Sequence, residues 1–174
     1  MRKISIIFAS ILLLIISACS AESSKDSQKT EPIIDATKFS RISSAQLIEI
    51  MGEPEYVDEY NWLVPSTGKE IPAKTYIYEG NKYEFMVIED AVTRMSIYSG
   101  TYMGYDDTSF EFKNDEDLFS MFNIQPSDDL KKVADTGAAL RFTPVSEKVA
   151  ELWVLEIEKN NFGIAKITYN LNYY

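Results

Sequence analysis

This chain has to fold without an internal disulfide or a His/Cys zinc staple. Among its 174 residues there is one cysteine and no histidine. A single thiol cannot close an intramolecular disulfide. A zinc site of the His/Cys kind cannot be assembled from it either. The fold must therefore rest on buried apolar surface, and apolar residues make up 45% of the sequence, enough for a core. The length suits one domain. The same two counts remove whole classes of chemistry. Without imidazole there is no Ser–His–Asp or Cys–His catalytic arrangement. With 17 basic against 27 acidic residues the formal charge is −10, which argues against nucleic acid as a partner, because phosphate contacts need a basic surface.

The position of the one cysteine carries more than its redox chemistry. Arg2 and Lys3 make a short positive start, and residues 4–16 are apolar except for Ser5 and Ser10. Thirteen residues fall short of the roughly 20 that span a bilayer, but they suit the apolar region of a secretory signal. Next comes Ile16-Ser17-Ala18-Cys19, which resembles the lipobox of bacterial lipoproteins, with Ile in place of the usual Leu. The resemblance implies that residues 1–18 are a signal peptide cut before Cys19, and that the Cys19 thiol carries a diacylglycerol. Two acyl chains anchor stably where one would be reversible. Loss of Arg2 and Lys3 takes the formal charge to −12, so lipid rather than charge must hold the protein at an anionic bilayer. Residues 19–38, rich in serine and charged side chains at the start, read as a flexible tether of roughly 25 Å span. The expected location is the cell membrane, lipid-anchored on its extracytoplasmic face, or the outer membrane where one exists.

Residues 39–174 read as one folded domain. Ser43 and Gln46 match a capping box ahead of Leu47, Ile48 and Met51, and Gly52 with Pro54 ends the helix. Strand-like runs follow at 75–79, 83–88 and 92–99, with Gly80-Asn81 as a hairpin signal. In the second half Asn114 can cap a helix bearing Leu118, Phe119 and Phe122. Ser127 can cap a further turn around Leu130, Val133 and Ala134. Strand-like runs then occupy 138–143, 149–158 and 162–173. Leu47, Met51, Gly52 and Pro54 overlay Leu118, Phe122, Asn123 and Pro126 at offsets of 71 to 72 residues, which suggests repeats over 39–100 and 110–174. The expected class is α+β: two similar halves, each a short helix followed by an antiparallel strand meander, forming one sheet with helices packed on one face. The Gly52-Glu53-Pro54 element, leading to strands near Tyr76 and Phe85, resembles β-lactamase-inhibitor-protein-like domains and SmpA/OmlA-type envelope lipoproteins. That resemblance implies a binding or assembly protein rather than an enzyme.

Little in the chain suggests chemistry. Carboxylates are the only remaining acid–base groups, clustered at Glu53, Glu55, Asp58 and Glu59 and again from Asp106 to Asp117. The second cluster lacks the alternating ligands of a calcium loop, and no phosphate-binding glycine motif occurs, so neither metal nor cofactor is expected. Aromatics are the better lead, because tyrosine pairs apolar area with a polar tip. Trp62, Tyr76, Tyr78, Tyr98, Tyr102 and Tyr105 are the candidate binding residues. The reading that follows is a lipid-anchored extracytoplasmic binding protein, not an enzyme, with a protein or cell-wall glycan as partner. Two alternatives stand beside it: a carboxylate-dependent, glycan-active or ligand-binding lipoprotein, and an envelope-assembly scaffold.

Overall fold

The computed structural model describes residues 31–174; the signal segment, Cys19 and the tether up to residue 30 lie outside the described residues. Ser43 caps the first helix, α1 (Ser44–Met51), in both directions: its hydroxyl accepts the Gln46 N–H, and the Gln46 side chain accepts the Ser43 N–H at 3.0 Å. Gly52 then takes φ 82° and ψ −172°, backbone open essentially to glycine alone. Four strands follow as a meander: β1 (Tyr56–Val64), β2 (Lys69–Tyr78), β3 (Tyr83–Ile88) and β4 (Ala91–Tyr98). The β3–β4 turn is only Glu89 and Asp90, both at positive φ, the twist that a two-residue hairpin demands. A short α2 (Gly100–Met103), β5 (Phe110–Glu111) and α3 (Asp115–Met121) lead to β6 (Lys132–Asp135), β7 (Ala139–Phe142), β8 (Glu151–Glu158) and β9 (Asn161–Thr168). The strands form one antiparallel sheet in the order β1-β2-β3-β4-β9-β8-β7-β6, with β5 also paired to β9.

This architecture corrects the α+β class expected from the sequence. Among the described residues the fold is a nine-stranded antiparallel sheet with three short helices, not a sheet with a layer of helices packed on one face. The helices run eight, four and seven residues. Each is near the length at which nucleation cost outweighs hydrogen-bond gain, so none forms a layer of its own. The sheet also takes sequence assigned elsewhere. Val133 and Ala134, expected in a helical turn with Leu130, lie in the strand β6 while Leu130 precedes it, and each meander has four strands rather than three. β1 escaped notice because its acidic residues, Asp58 and Glu59, obscure the apolar alternation, yet all nine of its residues pair with β2.

The core lies along one side of this sheet and includes Phe39, Leu47, Phe85, Met95, Leu118, Phe122, Phe162 and Ile167. A smaller cluster of Ala73, Met86 and Ile88 lies apart from it, with Trp62, Tyr173 and Tyr174 packed against it. The folded part starts earlier than residue 39. Ile33 donates its N–H to the Met121 carbonyl at 2.8 Å and Ala36 to that of Phe122 at 3.0 Å, while Ile33 and Ile34 pack on the core. The tether assignment overran here because apolar side chains follow directly on a polar stretch.

Tyr169 joins these parts. It is fully buried, and its hydroxyl donates to the Ala36 carbonyl at 2.8 Å. Its own carbonyl accepts two hydrogen bonds from the Arg41 guanidinium, at 3.1 and 2.9 Å. Its N–H donates to the Thr93 carbonyl of β4 at 2.8 Å. Tyr169→Phe should therefore leave the Ala36 carbonyl without its donor and lower unfolding free energy by about 1–3 kcal/mol. Urea unfolding followed by circular dichroism would read this as a lower midpoint at unchanged slope; an unchanged midpoint would remove the hydroxyl from the fold's support.

Candidate functional site

A one-residue irregularity in β4 shapes the side of the sheet that carries the smaller cluster. Met86 pairs with Arg94 and Val87 with Val92, so Thr93 is the extra residue of a β-bulge. Its carbonyl accepts the N–H of Tyr169 at 2.8 Å and that of Asn170 at 3.4 Å. This ends β9 at Thr168, although the sequence alternation continues to Tyr173. Asn170 then caps a 3-10 turn (Leu171–Tyr173), its side chain accepting the Asn172 N–H at 3.0 Å. The turn folds the last residues back over the sheet. Trp62 donates its indole N–H to the Tyr173 carbonyl at 2.7 Å, Tyr173 donates its hydroxyl to Glu89 at 2.9 Å, and the Tyr174 hydroxyl lies 3.0 Å from that of Thr93.

Beside this strap is a cleft of about 210 Å³ that includes Arg94, Arg141, Trp153, Lys166 and Tyr174 in its lining. Alternation and register bring them together: Arg94 is opposite Thr168, Trp153 opposite Lys166, and Arg141 opposite Trp153 across three adjoining strand pairs. The cations are held mainly by rings. The Arg94 guanidinium lies 4.6 Å from the Tyr174 ring centre and 5.5 Å from that of Trp62, and the Lys166 ammonium lies 5.1 Å from that of Trp153. Arg141 is paired with Glu151 at 2.6 Å. Among the described residues no carboxylate lies within ion-pair distance of Arg94 or Lys166. The Arg94 Nε is buried with no hydrogen-bond partner. Burial lowers the pKa of Lys166, and the neighbouring Arg94 charge lowers it further, against a smaller pull from Glu84.

A larger cavity, about 600 Å³, opens near the β1–β2–β3 edge, lined in part by Glu59, Tyr60, Lys74, Glu89 and Asp90. Its charged groups satisfy one another or the neighbouring chain. Glu59 pairs with Lys74, Glu89 accepts from Tyr173, and Asp90 accepts both the hydroxyl and the N–H of Ser44. Those bonds from Ser44 hold the Asp90 carboxyl below its ordinary pKa, the opposite of what a general acid needs. The smaller, cationic cleft is therefore the candidate site.

The aromatics singled out from the sequence do not gather in one place. Tyr76 and Tyr78 are buried in the main core, Tyr78 edge-on to Phe85 at 5.8 Å. Tyr98 donates to Glu84 at 2.8 Å and shares a separate 240 Å³ cavity with Tyr105. Tyr102 lies over Gly163, where even one added methyl carbon would come within 2.6 Å of the ring. Only Trp62 belongs to the cationic cleft's surroundings. Cys19 lies outside the described residues. The residues that sequence reasoning missed are Arg94, Trp153 and Lys166. The signal for Arg94 and Lys166 was a basic side chain in each of two otherwise uncharged runs of an acidic chain, at Val92 to Ile97 and at Phe162 to Ile167; Trp153 had none.

No family model, no curated protein and no solved structure matches this chain. Among the described residues no helix is long and apolar enough to cross a membrane.

Burial pushes the Tyr78 hydroxyl up to about 12 and raises those of Tyr98 and Tyr169 as well, Tyr98 with help from Glu84. The unfolded chain releases these protons near pH 10 and the folded chain later, so the folded state binds more protons above that point. Stability should accordingly fall as pH rises above about 10. Denaturant midpoints across that range, with phenolate absorbance recorded alongside, would check this; a flat profile would contradict it.

Proposed function

We propose that this chain is a lipid-anchored protein of the extracytoplasmic membrane face that binds a ligand through the cationic cleft of its sheet and does no chemistry on it. The address rests on the sequence around Cys19. The binding reading rests on one observation: Arg94 and Lys166 sit half-buried against aromatic rings with no carboxylate among the described residues within ion-pair distance of either, in a chain of formal charge −10. A protein with acid to spare leaves two cations unpaired at a cost in self-energy, an arrangement that suits a site awaiting an anionic group better than a structural ion pair. The Asp90 environment in the larger cavity weighs against the carboxylate-catalysed alternative.

Two measurements test the two parts. Cys19→Ser should abolish incorporation of labelled fatty acid; label entering that variant would overturn the anchor. A photo-reactive residue in place of Trp153 should become covalently joined to an envelope component in intact cells, seen as a mass shift. The same residue in place of exposed Glu116 on α3 should not. Equal labelling at both positions, or none at 153 alongside turnover in a hydrolase screen, would overturn the binding reading.

A further inference from the structure

We infer that the cleft takes a small ligand bearing one carboxylate on a flat apolar body, held between Arg94 and Lys166. This rests on the binding reading above and names the chemistry of what is bound. Size sets the first limit, because about 210 Å³ has room for a single small organic group. Charge sets the second. The free positive charge is that of Arg94 and Lys166, since Arg141 is already neutralised by Glu151. Glu151 also lines the cleft, but its charge is spent on Arg141, so the cleft's net positive charge is that of Arg94 and Lys166. Attraction to the two cations grows in proportion to a ligand's charge, whereas the cost of taking that charge out of water grows with its square, which favours a monoanion between rings. An anion between Arg94 and Lys166 would also relieve the repulsion that these two charges exert on each other.

Shape supplies the third limit. The Arg94 guanidinium carbon lies 4.6 Å from the Tyr174 ring centre and 5.5 Å from that of Trp62; its Nε is buried, one terminal nitrogen lies 3.7 Å from Met86 Sδ, and among the described residues none of its N–H groups is given to a carboxylate. An arginine edge matches a planar carboxylate, with two parallel N–H donors meeting two oxygens. The rings of Trp153 and Tyr174 form part of the lining, beside Arg141, Glu151 and Thr168, and suit a flat apolar body. The strap holds this geometry from one side, because Tyr174 is fixed by the Thr93 hydroxyl and Tyr173 by Glu89.

The protein carries its own reporter. It has two tryptophans, and both stand beside the cationic residues, Trp62 by Arg94 and Trp153 by Lys166. The full-length chain in detergent should be titrated with benzoate, with benzamide as the neutral probe of the same shape and with phenylphosphonate as the dianion. The expected result is saturable change in tryptophan emission with benzoate, none with benzamide, and weaker binding of phenylphosphonate. Lys166→Gln and Arg94→Gln should each weaken benzoate by about tenfold or more, as loss of a charge-assisted contact does. Lys69→Gln, on the exposed start of β2, should leave it unchanged. If Arg94→Gln does not fold, Lys166→Gln and the benzamide comparison still decide. Equal response to benzoate and benzamide would overturn the inference, and so would tighter binding of phenylphosphonate. Should benzoate fail while photo-labelling at position 153 persists, the carboxylate assignment is lost and the binding reading stands; loss of both sinks the two together.

Discussion

The pairing of β4 with β9 is the constraint on which the rest of this protein depends. These strands lie some seventy residues apart in sequence and side by side in the middle of the sheet. Without that contact the chain would be two separate meanders with open edges, each too small to bury a core of its own. Tyr169 locks the contact at its end, with one side-chain bond to the carbonyl of Ala36, two from Arg41 and a backbone bond to Thr93. Because a single cysteine cannot close an intramolecular disulfide, these bonds and the apolar surface around them carry that contact.

The bulge at Thr93 links that scaffold to the cleft. A regular strand there would let β9 run on as its alternation suggests. The bulged carbonyl instead captures two successive N–H groups, the strand stops, and the last residues cross the sheet beside Arg94. Arg94 and Lys166 are tolerated in strands of otherwise apolar character because rings stand where carboxylates would be. Cation–π contacts offset part of the desolvation cost without neutralising the charge, and that leaves it available to a ligand.

Local signals in the sequence translated well into local structure. Ser43, Gln46 and Gly52 specify α1 by hydrogen bonds and backbone angles that involve only near neighbours. Asn123 stands where the first half has glycine and takes φ 53°, as asparagine can. The class went astray where longer-range pairing prevailed: the segment around Val133 has helical spacing, but its backbone pairs with β7. The site was illegible for a related reason. Arg94, Trp153 and Lys166 are widely separated in the chain, and only sheet register makes them neighbours. The tyrosines were conspicuous by composition, yet Tyr76 and Tyr78 serve the core, where area matters more than the hydroxyl tip.

The route by which the chain enters the fold has a mechanical side. Ile33 and Ala36 are bonded to the end of α3, and Ala36 holds the Tyr169 hydroxyl. Tension drawn along the preceding residues therefore loads those few hydrogen bonds first, in series rather than spread over a strand. The next link is Tyr169 and, through it, the Thr93 bulge that fixes Tyr174 beside the cleft. Pulling on one end of the molecule and the grip of its cleft thus share a single line of force.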